Sequence, residues 1–176
     1  VSDSGIVHPE RILGMHFFNP VHRMPLVEVV RGAGSDPEAV RSVADFVRDI
    51  GKVPVVVADS PGFVVNRILM PCLMEAAGLF DRSIPVHEID KAMVDFGMPM
   101  GPLRLLDEVG LDVALQVANT LSDAFPDRFT VPPILERMLD AGLFGRKCGA
   151  GFYAYEGKKQ RPGIDAMACH RGMVRD

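Results

Sequence analysis

Polar residues set among two apolar runs could do chemistry. His16, Asn19 and Glu28 lie within Ile-Leu-Gly-Met-His-Phe-Phe-Asn-Pro-Val-His-Arg-Met-Pro-Leu-Val-Glu-Val-Val-Arg-Gly, residues 12–32, with His22 midway between His16 and Glu28. Two apolar runs, 12–18 and 26–30, flank Asn19-Pro20 and Met24-Pro25. Such runs, bounded by proline-containing turns, predict two strands joined by a loop. If the strands fold back symmetrically, His16 and Glu28 become cross-strand neighbours on one face. A carboxylate beside an imidazole fixes its tautomer and stabilises the imidazolium, which makes a general base near neutral pH. A histidine in an apolar run is usually a satisfied core or edge residue. Spacing alone leaves both readings open.

The elements that must hold these residues follow in order. Ser35-Asp36-Pro37 supplies a helix cap and a proline for the first helical position. Val40, Val43, Ala44 and Val47 recur at helical spacing, and Gly51 ends the helix. Residues 53–58 form a continuous apolar run, predicted to be a strand buried on both faces. Asp59-Ser60-Pro61-Gly62 then introduces a long helix with Val65, Leu69, Cys72, Ala76 and Leu79 or Phe80 as its buried stripe. Asn66, near the start of that helix, reads on pattern alone as a solvated or capping amide. Further helices are marked by Val86, Ile89, Met93 and Phe96, by Leu103, Leu106 and Val109, by Val113, Val117 and Leu121, and by Ile134, Leu135, Met138 and Leu139.

A dinucleotide-binding fold announces itself with Gly-x-Gly-x-x-Gly between a strand and a helix. Gly32-Ala33-Gly34 follows a strand but runs into Ser35-Asp36-Pro37 without a third glycine. Gly149-Ala150-Gly151 fits a looser form with Ala154, yet Phe152-Tyr153-Ala154-Tyr155 is strand-like, so no helix follows. Both are read as turns, and the nucleotide-binding half is expected to lie upstream of Val1.

The composition, 48% apolar and 24% charged over 176 residues, suits a globular chain with a real core. A net charge of −4 gives no reason to expect nucleic acid or an anionic membrane surface as partner. No apolar run is long enough for a membrane span. Cys72, Cys148 and Cys169 form no Cys-x-x-Cys pair, which favours a reducing, cytoplasmic setting. His8, His22, His87 and His170 show no metal-ligand spacing, so no metal site is assigned. The start at Val1 rather than methionine leads us to expect a fragment.

Gly14-Met15-His16-Phe17-Phe18-Asn19-Pro20, followed by Met24-Pro25-Leu26-Val27-Glu28-Val29-Val30, resembles the signature of the L-3-hydroxyacyl-CoA dehydrogenases. Asp59-Ser60-Pro61-Gly62-Phe63-Val64-Val65-Asn66-Arg67 is similar to the family's second motif. Gly97-Met98-Pro99-Met100-Gly101-Pro102 with Leu106-Asp107-Glu108-Val109-Gly110-Leu111-Asp112 resembles it again. So does Gly145-Arg146-Lys147-Cys148-Gly149-Ala150-Gly151-Phe152-Tyr153, most of all in the form found in multifunctional β-oxidation enzymes. The resemblance implies His16 as catalytic base, Glu28 as its orienting partner, and Asn19 and Asn66 as substrate contacts. It also implies NAD as cofactor, a 3-hydroxyacyl-CoA/3-ketoacyl-CoA substrate pair, a homodimer, and a thiolase subunit as a possible partner of the parent.

The fold expected is mainly α: a partial α/β piece, the end of a Rossmann-like sheet, followed by an all-helical C-terminal domain. Residues 1–59 are assigned to the sheet remnant, 60–157 to a helical substrate-binding and dimerisation domain, and 158–176 to a loosely ordered polar tail. The isolated chain is expected to be inactive. Two other functions fit the sequence: a stand-alone 3-hydroxybutyryl-CoA dehydrogenase, or a non-catalytic helical module that dimerises or holds a partner.

Overall fold

The two apolar runs around His16 and Glu28 form paired strands. A computed structural model describes residues 6–157, 159–163 and 166–167. Its elements are β1 (Gly14–Phe17), β2 (Leu26–Arg31), α1 (Pro37–Asp49), β3 (Val53–Ala58), α2 (Val65–Asp81), α3 (Val86–Phe96), α4 (Pro102–Val109), α5 (Leu111–Ala124), α6 (Ile134–Asp140), β4 (Tyr153–Glu156) and β5 (Lys159–Pro162). The chain is helix-rich, with one three-stranded and one two-stranded sheet among the described residues. It divides into two compact units between Val64 and Val65.

In the first unit β2 lies between an antiparallel β1 and a parallel β3, with α1 as the crossover. Asp36 caps α1, its carboxylate accepting from the Glu38 N–H, and Pro37 takes the first helical position. The cap satisfies an amide that no helical carbonyl reaches. α1 packs Val43 and Val47 on Val27, Val29 and Phe17, a small core in which Val27, Val29 and Val47 are fully buried. Burying one such side chain contributes roughly 1.5–3 kcal/mol. Side chains alternate along a strand, so Gly14, His16, Glu28 and Val30 face away from α1. That alternation presents the candidate chemistry on one side.

The expectation that β3 is buried on both faces is corrected. Val53, Val55 and Val56 are 55%, 38% and 45% exposed, and only Val57 is fully buried. β3 ends the sheet, and an apolar run records suitability for burial rather than a neighbour that supplies it.

The second unit packs α2–α6 and β4 around one core that includes Leu73, Leu106, Leu111, Leu135, Met138 and Phe152. The buried residues of α2 are Met70, Leu73, Met74, Ala76, Ala77 and Phe80; of the expected stripe Ala76 and Phe80 are buried, whereas Val65, Leu69, Cys72 and Leu79 are only half-buried. α2 is apolar around most of its circumference, so periodicity identifies a helix without choosing its face. α5 shows the same rotation: Leu111, Ala114, Ala118 and Leu121 are buried, while Val113 is exposed. Small alanines let helices approach closely, and a search for large apolar residues passes over them. Phe96 and Val109, read as stripe members, are also exposed. The tail expectation changes too. Residues 159–162 form β5, antiparallel to β4, while the expectation for 168–176 lies outside the described residues.

Candidate active site

β1 and β2 pair so that His16 stands directly opposite Glu28. The His16 Nδ1–H donates to Glu28 Oε2 at 2.8 Å. A carboxylate only accepts, so this bond places the ring proton on Nδ1 and the lone pair on Nε2. The Glu28 side chain is 1% exposed and that of His16 34%. A buried charge needs partners, and Glu28 has a second one. Its Oε1 accepts from the Val64 backbone N–H at 3.0 Å. The imidazole lies beside two aromatic rings, Phe18 at 4.8 Å and Phe63 at 5.6 Å between centroids.

His16 lines a cleft of about 750 Å³, whose walls include Ile12, Gly14, Met15, Asp59 and Phe63. Gly14 keeps a wall of this cleft low, since a side chain there would meet Val30 across the strands. Asn19 is exposed in the loop between β1 and β2. Lys52 holds that loop, donating from Nζ to the carbonyls of Val21 and of Met24, the latter at 2.8 Å. Asn66 is half-buried in the first turn of α2 and belongs to the second unit. Sequence reasoning missed Phe63, the Val64 amide and Lys52. A backbone amide carries no residue-type signal, and a lone lysine before a strand reads as solvated surface.

A second group of titratable residues is buried in the second unit. Asp90 accepts from the Leu103 and Arg104 N–H groups at 2.8 and 3.1 Å and from the Tyr153 hydroxyl at 2.8 Å. It therefore caps α4, whose own N-cap is Gly101 and carries no side chain to do so. Asp107 accepts from the Phe152 and Tyr153 N–H groups and from the Tyr155 hydroxyl, each at 2.9 Å. Burial pushes the Asp107 carboxyl up from 3.8 to about 6, against the lowering effect of those bonds. Burial raises Asp90 in the same way. A Cβ on Gly101 would collide with Asp90, and one on Gly151 with Asp107. These glycines serve packing. The network is enclosed and ties α3, α4 and β4 together.

Comparison with known proteins decides the family. The model of the 3-hydroxyacyl-CoA dehydrogenase C-terminal domain matches residues 62–155, and that of the NAD binding domain matches residues 3–60. The chain belongs to the 3-hydroxyacyl-CoA dehydrogenase family. It is 43% identical over 152 residues to the fatty acid oxidation complex subunit alpha of Vibrio campbellii, covering 86% of this chain and 22% of that protein. The crystal structure of (S)-3-hydroxybutyryl-CoA dehydrogenase PaaH1 from Ralstonia eutropha is 41% identical with a TM-score of 0.79, covering 84% of this chain and 53% of that one. That of 3-hydroxybutyryl-CoA dehydrogenase from Escherichia coli is 36% identical with a TM-score of 0.82, covering 90% and 34%. The chain thus spans about a fifth of the curated relative's length.

An NAD site in this family needs a place for the pyrophosphate, and the Gly32–Ser35 turn does not fit one. The Gly32 N–H donates to Ser35 Oγ at 3.0 Å, and the Asp36 N–H to the Glu10 carbonyl at 2.7 Å. The Asp36 carboxylate already occupies the start of α1, where it would repel a phosphate. At the second near-match Gly149 ends a short turn and β4 follows. Neither stretch forms a phosphate cradle. Among the described residues no cluster of His, Cys, Asp and Glu could hold a metal, and no helix is long and apolar enough to cross a membrane.

Proposed function

We propose that this chain is the proton-transfer and substrate-binding part of an NAD-dependent L-3-hydroxyacyl-CoA dehydrogenase of fatty-acid β-oxidation. The observation that carries the reading is the 2.8 Å bond from His16 Nδ1 to a fully buried Glu28. It leaves Nε2 as a base beside an open cleft. In the oxidation direction His16 Nε2 takes the proton from the substrate's C3 hydroxyl. Glu28 holds the ring and stabilises the imidazolium, while Asn19 and Asn66 contact polar groups around the reacting oxygen. NAD, when bound, would supply the hydride-accepting chemistry.

The first unit is read as the end of a Rossmann-like sheet and the second as the helical substrate-binding domain. The parent is a multifunctional subunit, a cytoplasmic homodimer that works beside a thiolase. The similarity to subunits named for the fatty acid oxidation complex supports a place in such a complex. A second reading, a stand-alone 3-hydroxybutyryl-CoA dehydrogenase, is favoured by the likeness to two structures so named. Under either reading the 176-residue chain is expected to be silent alone, since neither the Gly32–Ser35 turn nor the turn at Gly149 forms a phosphate cradle.

The test is NADH oxidation with acetoacetyl-CoA, by the purified 176-residue chain and by an intact parent. The expected result is turnover by the parent alone. No turnover by the parent would overturn the dehydrogenase reading. A His16-dependent rate in the short chain would overturn its inactivity.

A further inference from the structure

Between β3 and α2 the backbone does something a phenylalanine rarely does. Gly62 and Phe63 are consecutive left-handed residues, with φ of +72° and +43°. For glycine this conformation is ordinary. For a bulky L-residue it is strained, and such strain persists only where the surroundings hold it. The Phe63 N–H donates to the Ser60 carbonyl at 2.9 Å and closes the turn. Two things follow from the twist. The Phe63 ring reaches the cleft and lies 5.6 Å from the His16 ring, tilted by 53°. The next amide, Val64 N–H, reaches Glu28 Oε1 at 3.0 Å.

Consider what Glu28 would do without that amide. Each contact to a carboxylate oxygen restricts rotation about its last torsion, and the imidazole it orients follows that rotation. With Oε2 on His16 Nδ1 and Oε1 on Val64 N–H, both oxygens are engaged. The ring is bounded by Phe18 from its own strand and by Phe63 from the turn. We infer that the 60–64 turn is a positioning element for the dyad: Phe63 confines the His16 ring, and the Val64 amide locks the Glu28 carboxylate that selects its tautomer. This rests on the reading of His16 as general base oriented by Glu28. The left-handed Phe63 is then understandable, because a relaxed backbone would not direct both the ring and the following amide at the pair.

The experiment reads the tautomer directly and needs no turnover. In the ¹⁵N-labelled 176-residue chain, above the titration of the ring, the two imidazole nitrogens of His16 are followed by NMR in wild type, Phe63→Gly, Phe63→Leu and Glu28→Gln. Wild type is expected to hold the Nδ1–H form almost alone. Phe63→Gly, which removes the ring and frees the backbone, is expected to lower the ratio of Nδ1–H to Nε2–H about tenfold or more, the scale of one charge-assisted hydrogen bond. Phe63→Leu, which keeps apolar bulk, should lower it less and in the same direction. If Phe63→Gly unfolds the first unit, Phe63→Leu decides alone. Unchanged ratios in the folded Phe63 variants, with a drop in Glu28→Gln, would overturn this inference and leave the dyad standing. A wild-type ring without Nδ1–H preference, unmoved by Glu28→Gln, would overturn the dyad and this inference with it.

Discussion

His16 and Glu28 face each other across an antiparallel strand pair, joined from Nδ1 to Oε2 at 2.8 Å, with the carboxylate buried and the imidazole at an open cleft. The asymmetry in burial matters. A buried carboxylate attracts a developing imidazolium strongly, because little water screens it. Glu28→Gln keeps the shape and removes the charge. In the intact parent its kcat is expected to fall about 10²-fold, the lower range of general-base effects, with KM nearly unchanged. Steady-state kinetics at fixed pH checks this, and an equal rise in KM would point instead to lost substrate binding.

The second unit should show a pH dependence of its own. Asp107 rises from 3.8 to about 6 on folding, mainly through burial, so the folded state holds its proton more tightly than the unfolded chain. Its stabilising contribution is therefore complete below the unfolded value and is lost as pH rises through about 6. The loss is at most about 3 kcal/mol between roughly pH 4 and pH 7. Asp90 is raised as well and acts in the same direction. Urea unfolding of wild type and Asp107→Asn at both pH values isolates the effect. The stability difference between the two proteins should change across that interval. A constant difference would show that Asp107 stays ionised throughout.

Lys52 ties down the loop that carries Asn19. Its ammonium meets the Val21 and Met24 carbonyls, while the Arg23 and Met24 amides bond the Pro20 carbonyl within the loop. Lys52→Met retains the stem and removes the donors. Hydrogen exchange at the Arg23 and Met24 amides is expected to quicken by about tenfold, as the loop opens at the scale of one lost charge-assisted bond. Amides in α1 should be unaffected. Equal rates in the loop would mean that the turn is self-supporting.

Much of this was legible in the residues, and the exceptions share a cause. Alternation and proline placement locate the strands that bring His16 to Glu28, because register follows from which face must be apolar. Asp36 and Pro37 locate the start of α1. Periodicity found the buried face of α6, where the large apolar residues are the buried ones, and at α5 found the helix but only Leu121 of its buried face, since alanines share that face. Asp90 and Asp107 each interrupt an apolar face, and that is the signal a buried, partnered carboxylate leaves in sequence. The Val64 amide leaves none. It depends on the left-handed twist at Phe63, and a tripeptide does not announce its φ.

The proposed function requires His16 to act as the base. The most direct measurement compares kcat for acetoacetyl-CoA reduction in the intact parent and its His16→Ala variant, with thermal melting to show that both are folded. A loss of about 10²–10⁴-fold at unchanged melting temperature is the expected result. A folded His16→Ala parent retaining activity within a few-fold of wild type would contradict it, and the buried Glu28 would then be structural.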